Sequence, residues 1–144
     1  MITETDKKFL RTAAALAGIW SKDPSTKVCA VAVGGTKSQV AWGYNGLPPG
    51  LTDSDERLHD RETKVALTLH AEENALANAH FAVRTLYITH HPCSACVLRI
   101  LARRTVHRIV YTVRPDFEGR WSDSLAAARA LLHEAGVRIE GAEL

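Results

Sequence analysis

Two short segments of this chain bring together residue types that bind metal and move protons. They are His70 and Glu72 in LHAEENAL, and Cys93 and Cys96 in HHPCSAC. One imidazole and two thiolates can hold a zinc ion while leaving its fourth position open, and open zinc sites do chemistry. Zinc held in this way polarises water toward hydroxide near neutral pH. Glu72, two residues from the histidine, is placed to take up and return a proton. Together the four residues imply metal-assisted hydrolysis.

The spacing supports convergence on one ion. Cys93 and Cys96 are three apart, which on a helix puts both sulfurs on one face. Pro92 suits the first turn of that helix, where a missing N–H costs nothing. A helix N-terminus also favours the thiolate needed for ligation. Alone, a Cys-x-x-Cys pair fits a redox couple or two core cysteines equally well. His70 and Glu72 would lie on roughly opposite faces of a regular helix. They converge only if His70 stands at the helix start, and the change from VALTL to AEENALANA places it there. A structural zinc module, with a fourth protein ligand and Glu72 as a mere cap, is the competing reading. Such sites pair Cys-x-x-Cys with a second close ligand pair, whereas one histidine stands here. His59, His80, His107 and His133 read as ordinary, and Cys29 in VCAVAV as a small buried residue.

The elements that must position these residues follow from periodicity and breakers. Apolar Phe9, Leu10, Ala13, Leu16, Ala17 and Trp20 recur at helical spacing over residues 3–20, and Asp23-Pro24-Ser25 ends the helix. VCAVAVGG (28–35) and QVAWGYN (39–45) read as a β-hairpin. Residues 46–62 look irregular, and an ordered loop of that length in a small domain is usually functional. A helix over 70–80, a strand over 85–90, a helix from Pro92 or Cys93 and a strand over 108–113 follow. A helix over 122–135 capped by Gly136 and a last strand over 137–140 complete the chain. Strands alternating with helices imply parallel pairing behind the antiparallel hairpin. The expected fold class is α/β, a three-layer αβα sandwich around a mixed five-stranded sheet.

Composition sets the outer bounds. At 144 residues the chain reads as a single domain, 1–144, able to bury roughly two-thirds of its unfolded surface. It is 46% hydrophobic and 24% charged, which is ordinary for a globular protein. A net charge of +2 gives no reason to expect a polyanionic partner, so nucleic acid is not favoured. Arg99, Arg103, Arg104 and Arg108 read as a solvated face, and Asp53, Asp55 and Glu56 oppose a broad basic surface. No apolar run approaches the ~20 residues of a membrane span, and the N-terminus lacks the layout of a signal peptide. Three cysteines, two of them spaced Cys-x-x-Cys, fit metal use in a reducing cytoplasm.

The pattern His-x-Glu with Pro-Cys-x-x-Cys is that of zinc deaminases of nucleobases. SKDPSTKVCA (21–30), GYNGLPPGLTD (43–53), HAEENAL and RALLHEAGV resemble the deoxycytidylate (dCMP) deaminases, from about Ser21 to Val137. The resemblance implies the cytidine-deaminase-like αβα fold and conversion of dCMP to dUMP with release of ammonia, supplying thymidylate synthesis. It also implies homo-oligomers, often hexamers, and regulation by dCTP and dTTP, with Mg²⁺ accompanying a nucleotide effector. By position, His70, Cys93 and Cys96 would be the zinc ligands and Glu72 the proton shuttle. Asn45 would contact the nucleotide sugar, although Asn-Gly is also a favoured turn pair. Ser21, Lys22, Ser25, Lys27 and Arg114 are candidates for the 5′-phosphate, and His91 for the base. Cys29 replaces a usual glycine, TKVALTLHAE lacks a usual tyrosine, and His91 stands where an aromatic such as Phe is common. These departures leave open a modified dCMP, a nucleoside, a free base or a tRNA adenosine as substrate.

Overall fold

A computed structural model describes residues 1–144. Helix α1 (Glu4–Trp20) starts at a capping box: the Asp6 N–H donates to Thr3 Oγ1, and the Thr3 N–H donates to Asp6 Oδ2. Strands β1 (Cys29–Val33) and β2 (Val40–Tyr44) form the expected antiparallel hairpin. Next come α2 (Asp55–His59), α3 (Arg61–Leu67), α4 (Ala71–Asn78), β3 (Thr85–Ile88) and α5 (Ser94–Ala102). The chain closes with β4 (Arg108–Thr112), α6 (Pro115–Arg120), α7 (Ser122–Glu134) and β5 (Arg138–Ala142).

The sheet order is β2-β1-β3-β4-β5, antiparallel across β2, β1 and β3 and parallel across β3, β4 and β5. All of β1 is buried, because helices cover both faces. On one face Leu10, Ala13 and Ala17 of α1 pack against Val31, Tyr87 and Val110. On the other, Ala75 and Leu76 of α4, Val97 and Ile100 of α5, and Ala128 and Leu132 of α7 meet Ala30, Leu86, Ile88 and Ile109. The expected three-layer αβα architecture is observed.

Some expectations change. The stretch 46–62 is not irregular throughout: it holds α2 and the start of α3. Each of these short helices starts at a side-chain cap, Ser54 Oγ accepting from the Arg57 N–H and Asp60 Oδ2 from the Thr63 N–H. Neither has a buried residue, so no apolar period announces it. Helix α6 is likewise absent from the periodicity. The arginine group is a solvated face only in part: Arg99 and Arg104 are exposed, whereas Arg103 and Arg108 are structural. Arg103 donates to the carbonyls of Leu76, Ala79 and Phe81, closing the C-terminal end of α4. Arg108 is bonded to Asp6 at 2.8 Å and to Glu140 at 2.6 Å, while Tyr87 Oη donates to Asp6. That cluster ties α1 to β3, β4 and β5.

Candidate active site

The two metal-binding segments meet because two helices begin at the same place. His70 is the N-cap of α4, with φ −73° and ψ 152°, so it stands outside the helical turn. The two-residue spacing to Glu72 therefore carries no opposite-face penalty. Immediately before His70, Leu69 and Gly46 exchange backbone hydrogen bonds of 2.9 and 3.2 Å, tying the α4 entry to the end of β2. Cys93 is the N-cap of α5 and Cys96 lies in its first turn, where the cysteines follow the β3 C-terminal end. Ligands in open α/β sheets gather at such strand ends.

The ligand atoms of His70, Cys93 and Cys96 all lie within 4.8 Å of one another, and no other His, Cys, Asp or Glu group clusters as tightly. His70 Nδ1 is 3.2 Å from Cys96 Sγ and 3.7 Å from Cys93 Sγ. Tetrahedral zinc with ordinary Zn–N and Zn–S bonds would hold such atoms roughly 3.5 Å apart. Donor types and separations therefore fit one zinc ion with a position to spare. Exposure is graded, from exposed His70 through Cys93 to buried Cys96, which leaves one side accessible.

Local electrostatics suit both ligation and proton transfer. Cys93 is pulled down to about 4 by the hydrogen bond from Cys96 and by His70, whereas Cys96 is pushed up by the same pairing and by burial. The pair thus shares a proton that a cation would displace. Glu72 is buried at 5% exposure, and burial pushes its carboxyl up from the ordinary glutamate value. A carboxyl poised in that direction can hold as well as surrender a proton.

The proposed substrate contacts fare differently. Asn45 is 8% exposed and already engaged: its Oδ1 accepts from Ser21 Oγ (2.7 Å) and the Val28 N–H (2.9 Å), and its Nδ2 donates to the Thr26 carbonyl (2.8 Å). It therefore pins the 21–28 segment, and Ser21, buried beneath it, belongs to the same network. Lys22 pairs with Asp53 at 2.8 Å, and Lys27 donates to the Ser21 carbonyl. Ser25 Oγ accepts from Lys64, whose ammonium also meets Asp23 at 3.2 Å. Arg114 caps the start of α6 and donates through Nε to the Thr89 carbonyl. His91 is buried, its Nδ1 donating to the Pro92 carbonyl at 2.8 Å while Nε2 has no partner. From the sequence, Asp23 reads only as part of a helix break and Asp53 only as part of an acidic group, and Lys64 carries no signal. With Lys22, Tyr44 and Thr68 they line a small cleft of about 40 Å³. Nothing in their spacing brings α3 over the 21–25 turn, so no sequence signal marked them.

Residues 3–113 match the family model described as the cytidine and deoxycytidylate deaminase zinc-binding region. An Aliivibrio fischeri protein named as an uncharacterized deaminase in the luxG 3′ region is 37% identical over 96% of this chain and 94% of its own. A probable deoxycytidylate deaminase of Caenorhabditis elegans is 35% identical over 93% of this chain and 68% of its own. The deoxycytidylate deaminase of Homo sapiens is 28% identical over 90% and 75%. The chain, with its His/Cys/Cys cluster suited to zinc, belongs to the zinc-binding cytidine and deoxycytidylate deaminase family.

Proposed function

We propose that this protein deaminates dCMP hydrolytically, giving dUMP and ammonia, with His70, Cys93 and Cys96 as zinc ligands and Glu72 as the proton carrier. The observation that carries the reading is the convergence of His70, Cys93 and Cys96 within 4.8 Å at the N-termini of two helices, with buried Glu72 in the first turn of one of them. Zinc bound there supplies a Lewis acid that brings the pKa of water toward neutrality. The Glu72 carboxylate takes a proton as water adds to the carbon bearing the amino group. It returns that proton to the adjacent ring nitrogen and then assists departure of ammonia. Water and the aminopyrimidine thus yield the pyrimidinone and ammonia, with the enzyme regenerated.

The choice of dCMP is supported by the relatives named deoxycytidylate deaminase and by the 21–30 and 43–53 segments. On this reading Lys22, Lys64 and Arg114 supply cationic donors near the entrance, while Asn45, Ser21, Ser25 and Lys27 shape the turn that presents them. His91 offers its unpartnered Nε2 as an acceptor. Regulation by dCTP and dTTP, Mg²⁺ carried by an effector, assembly into homo-oligomers and a cytoplasmic setting complete the reading; no helix is long and apolar enough to cross a membrane. The test is a panel of dCMP, CMP, dCTP, deoxycytidine, cytosine, a 5-substituted dCMP, guanine and an adenosine-bearing tRNA stem-loop. Ammonia release and the ultraviolet change are followed, with dCTP and dTTP added to the best substrate. Preference for dCMP over deoxycytidine is expected; equal rates would remove phosphate recognition and leave a nucleoside enzyme.

A further inference from the structure

One half-buried cation at the C-terminal end of the parallel strands has no carboxylate to answer it. Arg114 stands two residues past β4, where its Nε donates to the Thr89 carbonyl at 2.6 Å. That bond leaves both Nη groups free, since no carboxylate oxygen lies within 4.0 Å of the guanidinium. Glu118, the nearest buried-side acid in the chain, is taken up by the Arg114 backbone N–H (2.5 Å) and the Tyr111 hydroxyl (3.5 Å). Lys22 and Lys64 differ, because Asp53 and Asp23 already meet them. Lys27 also lacks a carboxylate, but it is exposed and solvated. A cation drawn partly out of water without a counter-ion is unfavourable, and an anionic ligand relieves that cost.

The residue after Thr89 supplies a second donor. His90 is 8% exposed, and its ring meets Phe117 of α6 edge-on with centroids 4.9 Å apart. Thr89 Oγ1 accepts from the Cys29 N–H (3.1 Å) and lies 2.9 Å from His90 Nδ1. The hydroxyl proton therefore goes to Nδ1, and the ring carries its own proton on Nε2. Burial, with the Arg114 charge beside it, holds the imidazole down to about 4, so the ring is neutral near pH 7. His90 Nε2 has no protein partner and, unlike Nε2 of His91, it keeps contact with solvent. Thr89 and Cys93 are four residues apart, at most about 14 Å along the chain, so one loop carries this pair and a zinc ligand. We propose that Arg114 and His90 form the subsite that reads the 5′-phosphate of the substrate. Arg114 supplies the charge and His90 an uncharged N–H donor. The inference rests on the nucleotide deamination proposed above and names the residues that decide for a nucleotide over a nucleoside. A guanidinium binds phosphate oxygens through charge-assisted bonds of fixed direction, and the bond from Nε to Thr89 holds this one in place.

The test uses the full-length, zinc-loaded protein and follows the ratio of kcat/KM for dCMP to that for deoxycytidine. Arg114→Gln is expected to lower this ratio by about tenfold to a hundredfold, the worth of a hydrogen bond between charged groups. His90→Leu is expected to lower it roughly tenfold, and His90→Gln, which returns an N–H donor, to recover part of the loss. A merely structural role for either residue would slow both substrates together and leave the ratio where it was, which overturns the proposal. A larger fall with Lys22→Gln than with Arg114→Gln also overturns it, by giving the phosphate to the lysine. Calorimetric binding of dUMP and of deoxyuridine reads the same preference without turnover. Equal affinity of the wild type for the two overturns the subsite whatever the enzyme deaminates. A preference for dUMP that Arg114→Gln removes supports the subsite even where no cytosine compound is turned over, so the subsite and the proposed reaction fail separately.

Discussion

Gly43→Ala is the substitution whose cost the structure fixes most directly. Gly43 lies in β2 beneath the first turns of α4, the helix that begins at His70 and carries Glu72. A Cβ at Gly43 would sit 2.3 Å from the Ala75 backbone nitrogen, 2.5 Å from Asn74 Cβ and 2.6 Å from the Asn74 carbonyl carbon. Two of these atoms are backbone, so no rotamer change relieves the contact. Ordinary contact needs about 1 Å more, and that displacement falls on the β2–α4 interface. Overpacking of this kind costs about 1–3 kcal/mol, and a rigid backbone neighbour places Gly43→Ala at the upper end. At about 2–4 °C per kcal/mol for a chain near this length, the melting temperature should fall roughly 6–12 °C. The same movement carries Glu72 and His70 away from Cys93 and Cys96, and a 1 Å misplacement can cost about a hundredfold in rate. Calorimetry and ammonia release on the same preparation measure both losses. Gly18→Ala in α1 is the control, because a Cβ there meets nothing within 4 Å. It should gain about 0.5–1 kcal/mol from helix propensity and a smaller unfolded ensemble. A Gly43→Ala protein that melts and turns over like wild type would refute the claim that α4 rests on a bare backbone.

Other perturbations test separate parts of the structure. Glu72→Gln should retain the fold and one zinc per chain while losing deamination by several orders of magnitude, read by metal analysis beside turnover. Cys93→Ser should lower zinc content and cancel the rise in melting temperature that zinc confers on wild type, since binding to the native state alone adds stability. Arg103→Ala removes a cationic donor from the carbonyls of Leu76, Ala79 and Phe81 and should cost about 2–3 kcal/mol, measured by urea unfolding. The pH dependence of stability should report Asp6. Burial alone would push its carboxyl up, but Arg108, with hydrogen bonds from Thr3 and Tyr87, holds it well below the usual range. A depressed folded value means the contribution is fully present above about pH 4, the unfolded value, and is lost as pH falls through the folded one. Asp6→Asn should therefore flatten the acid limb of the stability curve; an unchanged limb would assign acid unfolding to other groups.

Much of the site was legible in the chain because its chemistry is local. Cys93 and Cys96 share a helical turn, and the break from VALTL to AEENALANA put His70 at a helix start, where its N-cap backbone allows Glu72 on the same side. The major elements were legible for a related reason: α1 and α7 bury apolar residues at helical spacing, and β1, β3 and β4 are short, nearly continuous buried runs. Helices α2 and α3 bury nothing and are held by the Ser54 and Asp60 caps, so periodicity could not announce them. The structure adds that the Asn45 amide is engaged with Ser21, Thr26 and Val28, partners that its own Asn-Gly turn does not reveal.

By itself the sequence determined the ligand types, their spacing on two helix starts and the alternation that builds a mixed sheet, since each depends on neighbours a few residues away. Tertiary structure decided which charges are solvent-facing and which are structural. Arg108 meets Asp6 across 102 residues, Lys64 reaches Asp23 across 41, and Gly43 earns its lack of a side chain only against α4. It also decided that Arg114 lies on the Thr89 carbonyl without a carboxylate to meet it. A missing counter-ion is a property of the whole arrangement in space, and that arrangement depends on contacts between residues far apart in the chain.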